Sequence, residues 1–325
     1  MLLSSFGMFE QNEDINAIYK NTKQNLLPAM LFLMLLQVDI RDFFKLGKSL
    51  LIAYALALFS LSFGFIAISL VFDFSAETAS ALDIAFVSLH VKQTEQTFSE
   101  YFGIKNITPV KTDVTISLNS VDVMLEDAKK AFSERKEILK VKVGSDILHA
   151  ADIVRKIAKE LPHAKILVDA NQAWNFEDTH FFINNMLGLK IELIEQPTIA
   201  SDLESLKKIT EFSYVPILAD EAVFTLRDAK KVVESKSADM INIKFMKCGG
   251  VTKAVEILEY ARENSVKCML GSILEGPYSI NIALYLAFAY RDVVRYVDLD
   301  SPLLYKEPSS ELNFEFKGCE ILFKK

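Results

Sequence analysis

Apolar positions along the chain follow two regimes that meet near residue 75. In the first, 26–36 (LLPAMLFLMLL) is an unbroken apolar run, separated by the charged segment 39–48 from 49–72, twenty-four residues without a charge. As a helix rising about 1.5 Å per residue, 49–72 could cross a hydrocarbon core about 30 Å thick. Its hydrophobicity on all sides predicts a transmembrane helix rather than an amphipathic surface one. The shorter run fits a re-entrant or broken span. Arg41, Lys45 and Lys48 precede the long run, and Asp73, Glu77 and Asp83 come after it. The positive-inside rule would then keep 39–48 cytoplasmic and place the chain beyond residue 72 on the other side.

From residue 76 the pattern becomes periodic. Residues 77–93 repeat at helical spacing, with Ala81, Ile84, Ala85, Leu89 and Lys92 near one face. After turn signals at Gly103 and Pro109, short apolar runs alternate with helical segments. The runs predict strands at 112–118, 138–143, 165–169, 191–195, 216–220, 239–244, 267–271 and 295–298. Helices are predicted between them at 121–134, 146–160, 176–187, 202–210, 225–234, 250–263 and 277–289. Eight strands and seven intervening helices imply an α/β fold, a closed parallel (β/α)7β barrel of modified TIM type. An open doubly wound sheet is the alternative, weakened because no glycine-rich phosphate turn follows the first strand. The tail 311–323 alternates around a Lys-Gly turn and predicts a hairpin, which needs another sheet to join. The expected organisation is a hydrophobic segment at 1–73, a helical connector at 74–110, the barrel at 111–303 and the tail at 304–325.

Charge narrows the function. The formal net charge is −7, and without a basic stripe nucleic-acid binding has little electrostatic support. Cys248, Cys268 and Cys319 are scattered, without metal-ligand spacing, and read as reduced thiols.

Polar residues at the C-terminal ends of the predicted strands recur every 24–28 residues: Lys142, Asp169, Glu195, Asp220, Lys244, Ser272 and Asp298. One strand-helix unit takes about that length, so all seven project around the rim where such barrels build their sites. Asp169, Glu195 and Asp220 would repel one another unless a cation held them, and an all-oxygen set of net charge −3 suits Mg²⁺. Lys140 and Lys142 share a face of the second strand, and Lys244 lies across the barrel on the sixth. Mutual repulsion and a nearby metal are expected to depress the pKa values of Lys140 and Lys142. Two lysines on opposite faces of a substrate could remove and return a proton alpha to a carboxylate, with the ion stabilising the enediolate charge.

The motifs LKVKVG (139–144), VDANQAW (168–174), IEQP (194–197), LADEAVF (218–224) and INIKFMKCGG (241–250) resemble those of the enolase superfamily. Over 76–323 the chain looks like the muconate-lactonizing-enzyme subgroup, and most like its dipeptide epimerases (L-Ala-D/L-Glu epimerase type). A lysine or histidine base combined with Mg²⁺ is the general pattern of enolase-type sites. The resemblance implies Asp169, Glu195 and Asp220 as metal ligands, Lys142 and Lys244 as acid/base lysines, and Lys140 as a support for the enolate charge. It also implies that Asp298 and Asp300, in VDLDSPLL (297–304), hold a dipeptide's α-ammonium, with Thr115 and Ser272 as further substrate contacts. Cycloisomerases and o-succinylbenzoate synthases share the metal and lysine set and are the alternative, and an inactive membrane-fusion product is a second. Superfamily members begin with a capping domain, of which only the final helix, about 76–96, is recognisable here. Residues 1–73 instead resemble a piece of a multi-span bacterial membrane protein, which suggests a junction near 72–75. The expectation is intact Mg²⁺ binding with impaired turnover, in a chain held at a membrane through 49–72. The family setting implies a cytoplasmic barrel.

Overall fold

The computed structural model describes residues 75–324 apart from 106, 108 and 308. Two helices, α1 (Ala76–Gln93) and α2 (Phe98–Tyr101), and a two-residue strand β1 (Val110–Lys111) lead into eight strands. These are β2 (Val114–Ile116), β3 (Ile138–Lys142), β4 (Lys165–Asp169), β5 (Ile191–Glu195), β6 (Ile217–Ala219), β7 (Met240–Lys244), β8 (Lys267–Gly271) and β9 (Val294–Asp298). Each pairs in parallel with the next in chain order. Between them run α3 (Val121–Ser133), α4 (Ile147–Glu160), α5 (Phe176–Asn185), α6 (Leu203–Phe212), α7 (Leu226–Ser235), α8 (Phe245–Cys248) with α9 (Val251–Glu263), and α10 (Pro277–Ala289). A 3-10 turn, Ser301–Leu304, stands where an eighth helix would begin.

The result is a nearly closed eight-stranded parallel barrel, as the strand-helix alternation predicts. Among the described residues no ladder joins β9 to β2. The seam is stitched instead by Asp113 N donating to Val297 O (3.1 Å) and by Leu299 N donating to Thr112 Oγ1 (3.0 Å).

Local chemistry sets where the helices start. Asp146, Asn175 and Asp202 each accept a backbone N–H at the head of α4, α5 and α6, and Thr225 with Asp228 forms a capping box on α7. Helix α9 lacks a cap of its own, and Asp83 of α1 reaches across to supply one. Its two carboxylate oxygens accept from Thr252 N (2.9 Å) and Thr252 Oγ1 (2.7 Å). Gly250, at φ +120°, makes that approach feasible, because a Cβ there would lie 2.5 Å from Asp83 Cβ. Helix α1 is thereby locked to the segment just beyond Lys244.

The expectation of membrane association through 49–72 is corrected. Among the described residues no helix is long and apolar enough to cross a membrane, and 49–72 lie outside them. The helix next in the chain after that run, α1, starts afresh at a Ser75 side-chain cap with Glu77 in its first turn and packs on the barrel.

The tail forms the predicted hairpin, β10 (Phe314–Lys317) and β11 (Glu320–Phe323), and β11 finds its further strand in β1 through Val110↔Ile321 and Lys111↔Glu320.

Inward-facing residues stack in layers along the barrel. Ile138, Leu167, Leu193, Leu218, Met240, Met269 and Tyr296, one from each of seven strands, form a dry apolar plug. Two residues on, by the strand period, come Lys140, Asp169, Glu195, Asp220, Asn242, Gly271 and Asp298. A polar layer therefore sits directly on the plug. The outward faces pack under the helices in one continuous core, which leaves chemistry to the end of the barrel where the strands finish.

Candidate active site

The polar layer is held level by the sheet. Lys142 pairs with Asp169, Asp169 with Glu195, Lys244 with Gly271, and Gly271 with Asp298. At its centre Lys140, only 2% exposed, directs Nζ to Glu195 Oε2 (2.8 Å), Asp298 Oδ2 (2.8 Å) and Asp169 Oδ2 (3.1 Å). Its hydrogen bond goes to Asp298, and the contacts with Glu195 and Asp169 are ion pairs. Lys142, higher on the same strand and half-exposed, reaches Asp169 Oδ2 (3.0 Å) and Asn171 Oδ1 (2.9 Å). Across the barrel Lys244 Nζ meets Asp220 Oδ2 at 2.8 Å.

The depression expected for Lys140 is not what its carboxylate neighbours produce. Burial alone would lower Lys140, but the charges of Asp298, Glu195 and Asp169 outweigh it and hold the ammonium well above its ordinary value. Lys244 is likewise raised, with Asp220 and Glu195 overriding burial. Among the carboxylates, burial and the neighbouring Asp169 push Glu195 up to about 7. Asp220 moves the other way, because Lys247 and Lys244 together overcome its burial.

Asp169 and Glu195 converge on one ammonium nitrogen, and Asp220 faces two lysines. The three do not form the tightest acidic cluster. Among the described residues, that is Asp113, Asp298 and Asp300, whose oxygens all lie within 4.8 Å of one another. Asp298 accepts from Lys140, and Asp300 Oδ2 accepts Thr115 N at 2.9 Å. The Ser272 hydroxyl turns to Asp298 O (3.2 Å) and Ser301 Oγ (3.0 Å), so Thr115 and Ser272 both brace the 298–301 turn. Two surface hollows, one against the hairpin near Ile107 and Ile321 and one beside Trp174 and Ile199, include none of these residues.

Several participants escape the strand-end ladder. Lys247, on α8, is buried and donates to Asp220 O (2.7 Å), Asn242 O (2.9 Å) and Asp220 Oδ1. Its three donors are all taken, so it is a fixed cation that clamps β7 to the end of β6. Asn242 donates from Nδ2 to Glu195 Oε1 (2.8 Å). Its place two residues before Lys244 puts it on the same strand face, a signal available in the sequence. Gln196, at φ 36°, accepts Asp220 N (2.8 Å) and Ala222 N (3.0 Å) on Oε1. Asn171 and Gln172 also have positive φ, so three non-glycine residues just beyond the carboxylates sit in a backbone region that concentrates at functional sites.

Gly271 leaves room for this arrangement. A Cβ there would lie 2.8 Å from Asn242 Oδ1 and 3.1 Å from Lys244 Cε. Gly271→Ala is expected to lower kcat at least tenfold by displacing both side chains, at a stability cost of about 1–3 kcal/mol for overpacking. Kinetics and a thermal melt on the same preparation check both halves.

The donor set fits a hard divalent cation. It is all oxygen and anionic, and Glu195 Oε2 is fully buried with no hydrogen-bonded partner, only the ion pair to Lys140.

Comparisons with known proteins find a matching family and related structures. Residues 123–321 match the family described as Enolase C-terminal domain-like. Residues 1–89 match another, described as a protein of unknown function (DUF819). The L-amino acid-D/L-Glu epimerase of Sulfurimonas denitrificans is 69% identical over 242 residues, 74% of this chain and 71% of that protein. The L-Ala-D/L-Glu epimerase of Bacillus subtilis is 42% identical over 217 residues, 65% of this chain and 59% of its own length. In structure, the dipeptide epimerase of Enterococcus faecalis complexed with Mg and the dipeptide L-Leu-L-Tyr superposes with a TM-score of 0.72 at 28% identity. That match covers 82% of this chain and 76% of the other.

Proposed function

This chain belongs to the enolase C-terminal domain-like family, and from that membership we propose that it is a Mg²⁺-dependent dipeptide epimerase of the Ala-Glu type, an isomerase acting on amino acid derivatives. The observation that carries the reading is the polar layer, in which carboxylates on three successive strands are flanked by lysines on opposing ones.

Asp169, Glu195 and Asp220 would hold Mg²⁺, which when bound stabilises negative charge developing on the substrate carboxylate. The lysines move the proton. Lys142 and Lys244 stand four strands apart in a ring of eight, and so face each other across the mouth. As a neutral amine, one Nζ takes the α-hydrogen from its face of the α-carbon. The other, as an ammonium, delivers a proton to the opposite face. One C–H bond breaks, one forms, and the centre inverts. Lys244, held protonated beside Asp220, is placed to begin as the acid in one direction of the reaction. Lys140 is fixed by three carboxylates and keeps its charge, which faces the enediolate as it forms. Asp298 and Asp300 would take the dipeptide's α-ammonium, a task suited to paired carboxylates.

Incubating the purified chain with Mg²⁺ and L-Ala-L-Glu or L-Ala-D-Glu in D2O tests the reading. Deuterium is expected at the glutamate α-carbon together with formation of the other epimer. Turnover of a succinylbenzoate precursor with no dipeptide exchange would overturn it.

A further inference from the structure

Asp113 lies at the barrel seam, just before β2, where its backbone N donates to Val297 O of β9. Its side chain is 1% exposed, and neither carboxylate oxygen has a hydrogen-bond donor among the described protein groups. An ionised carboxylate in that position would be costly, because burial without a donor or a counter-ion is among the largest penalties a folded chain can carry. The nearest cation cannot relieve it. Lys140 donates to Asp298 and ion-pairs with Glu195 and Asp169, and neither oxygen of Asp113 receives a hydrogen bond from it. Asp300 Oδ2 accepts Thr115 N at 2.9 Å.

The neighbours that remain are themselves acids. The carboxyl groups of Asp113, Asp298 and Asp300 have oxygens within 4.8 Å of one another, and all three are buried. Buried carboxylates this close oppose one another's ionisation, which favours a proton on one of them. Asp298 receives the Lys140 ammonium at 2.8 Å and is the favoured anion. Asp300 has a backbone N–H. Asp113 has neither.

We propose that Asp113 is a neutral carboxylic acid whose O–H donates to Asp298, making it a positioning residue that fixes Asp298 as the ionised, oriented member of the ammonium-binding pair. This accounts for both oxygens that otherwise lack partners. It also limits the charge of the acidic cluster, so that the pair attracts one ammonium without three buried anions repelling one another. Burial first, and then the charge of Asp298, hold the Asp113 carboxyl well above its ordinary value, whereas Lys140 holds Asp298 below its own despite burial. The groups that face Asp113 and bear on its proton are Asp298, Lys140 and Asp300.

The proposal rests on Asp298 and Asp300 receiving the substrate ammonium, and two readouts separate it from that reading. Infrared spectroscopy of the full chain at pH 7 should show a protonated-carboxyl stretch that disappears in Asp113→Asn, whether or not any dipeptide is turned over. Absence of a band assignable to Asp113 would overturn the proposal. In kinetics, Asp113→Ala should raise KM for the dipeptide at least tenfold while changing kcat little. Asp113→Asn, which keeps a neutral donor of the same shape, should restore KM to within a few fold of wild type. An asparagine variant as defective in KM as the alanine variant would show that the negative charge of Asp113 is needed, and would also overturn the proposal. If Asp113→Ala does not fold, the infrared band and the asparagine variant still decide. If no dipeptide is accepted at all, the band alone decides, and the failure belongs to the substrate assignment.

Discussion

Lys142→Ala and Lys244→Ala are each expected to abolish epimerisation, with kcat falling about 10³-fold or more, the scale of a positioned acid or base. Each nevertheless retains half of the exchange chemistry. With Lys142 gone, Lys244 can still remove and return the α-proton on its own face, so in D2O one epimer loses its α-hydrogen without inverting. Lys244→Ala gives the reciprocal pattern with the other epimer. This complementary exchange arises from the placement of the two residues on β3 and β7, opposite each other in the ring. It separates a two-lysine mechanism from a general loss of the site, which would silence both epimers in both variants. Neither substitution should unfold the protein. Lys142 is half-exposed, and removing Lys244 leaves Asp220 still held by Lys247 through Oδ1 and the backbone carbonyl. Inversion at the wild-type rate in either variant, read by polarimetry and by mass, would refute the assignment.

Much of this site is legible in the chain, for a physical reason. Parallel strands are covered on both faces and read as continuous apolar runs, and each strand-helix unit has a nearly constant length. The rim residues therefore recur at a regular interval, and Lys142, Asp169, Glu195, Lys244 and Asp298 all fall at strand ends, with Asp220 one residue beyond β6. What the pattern does not carry is which charge lies beside which. The KVK pair in 140–142 suggests repulsion along the strand. In the barrel Lys140 points to the axis among three carboxylates from other strands, and its proton affinity rises instead. Lys247 is hidden because the strand period ends at Lys244 and a one-turn helix re-aims the next lysine. Asp113 reads as the polar start of an ordinary strand, and only the β9–β2 seam brings it to Asp298. Strand β1, two residues long, has no periodicity to detect, so the sheet that accepts the tail is not legible in the sequence. For 49–72, length and apolarity describe a segment without saying where it goes, and the described helix next in the chain starts afresh at its own cap.

Mg²⁺ affinity should fall as the pH drops below 7, by about tenfold per unit, and be level above it. The group responsible is Glu195, which burial and Asp169 push from the ordinary 4.5 up to about 7. A ligand carboxylate must be ionised, so a proton competes with the metal wherever Glu195 is protonated. Calorimetric titrations of the metal-free protein at pH 5.5, 7 and 8.5 read the slope directly, and at pH 6 the heat should vary with buffer because a proton leaves as the ion enters. Stability of the metal-free protein carries the same signature with a definite sign. Between 4.5 and about 7 the folded state binds this proton and the unfolded state does not, so the contribution is fully present below 4.5 and is lost as the pH rises through 7. Glu195→Gln removes the titration but keeps an oxygen to accept Asn242 Nδ2, and Lys140 retains Asp169 and Asp298 as partners. The variant should therefore bind Mg²⁺ at least 100-fold more weakly, with no pH slope, and yet melt no lower than metal-free wild type at pH 8. Such a divergence of metal affinity and fold stability is expected where a buried charge is kept for chemistry. Equal Mg²⁺ affinity in the glutamine variant, or a flat profile from pH 5.5 to 8.5 in the wild type, would remove Glu195 from the metal site.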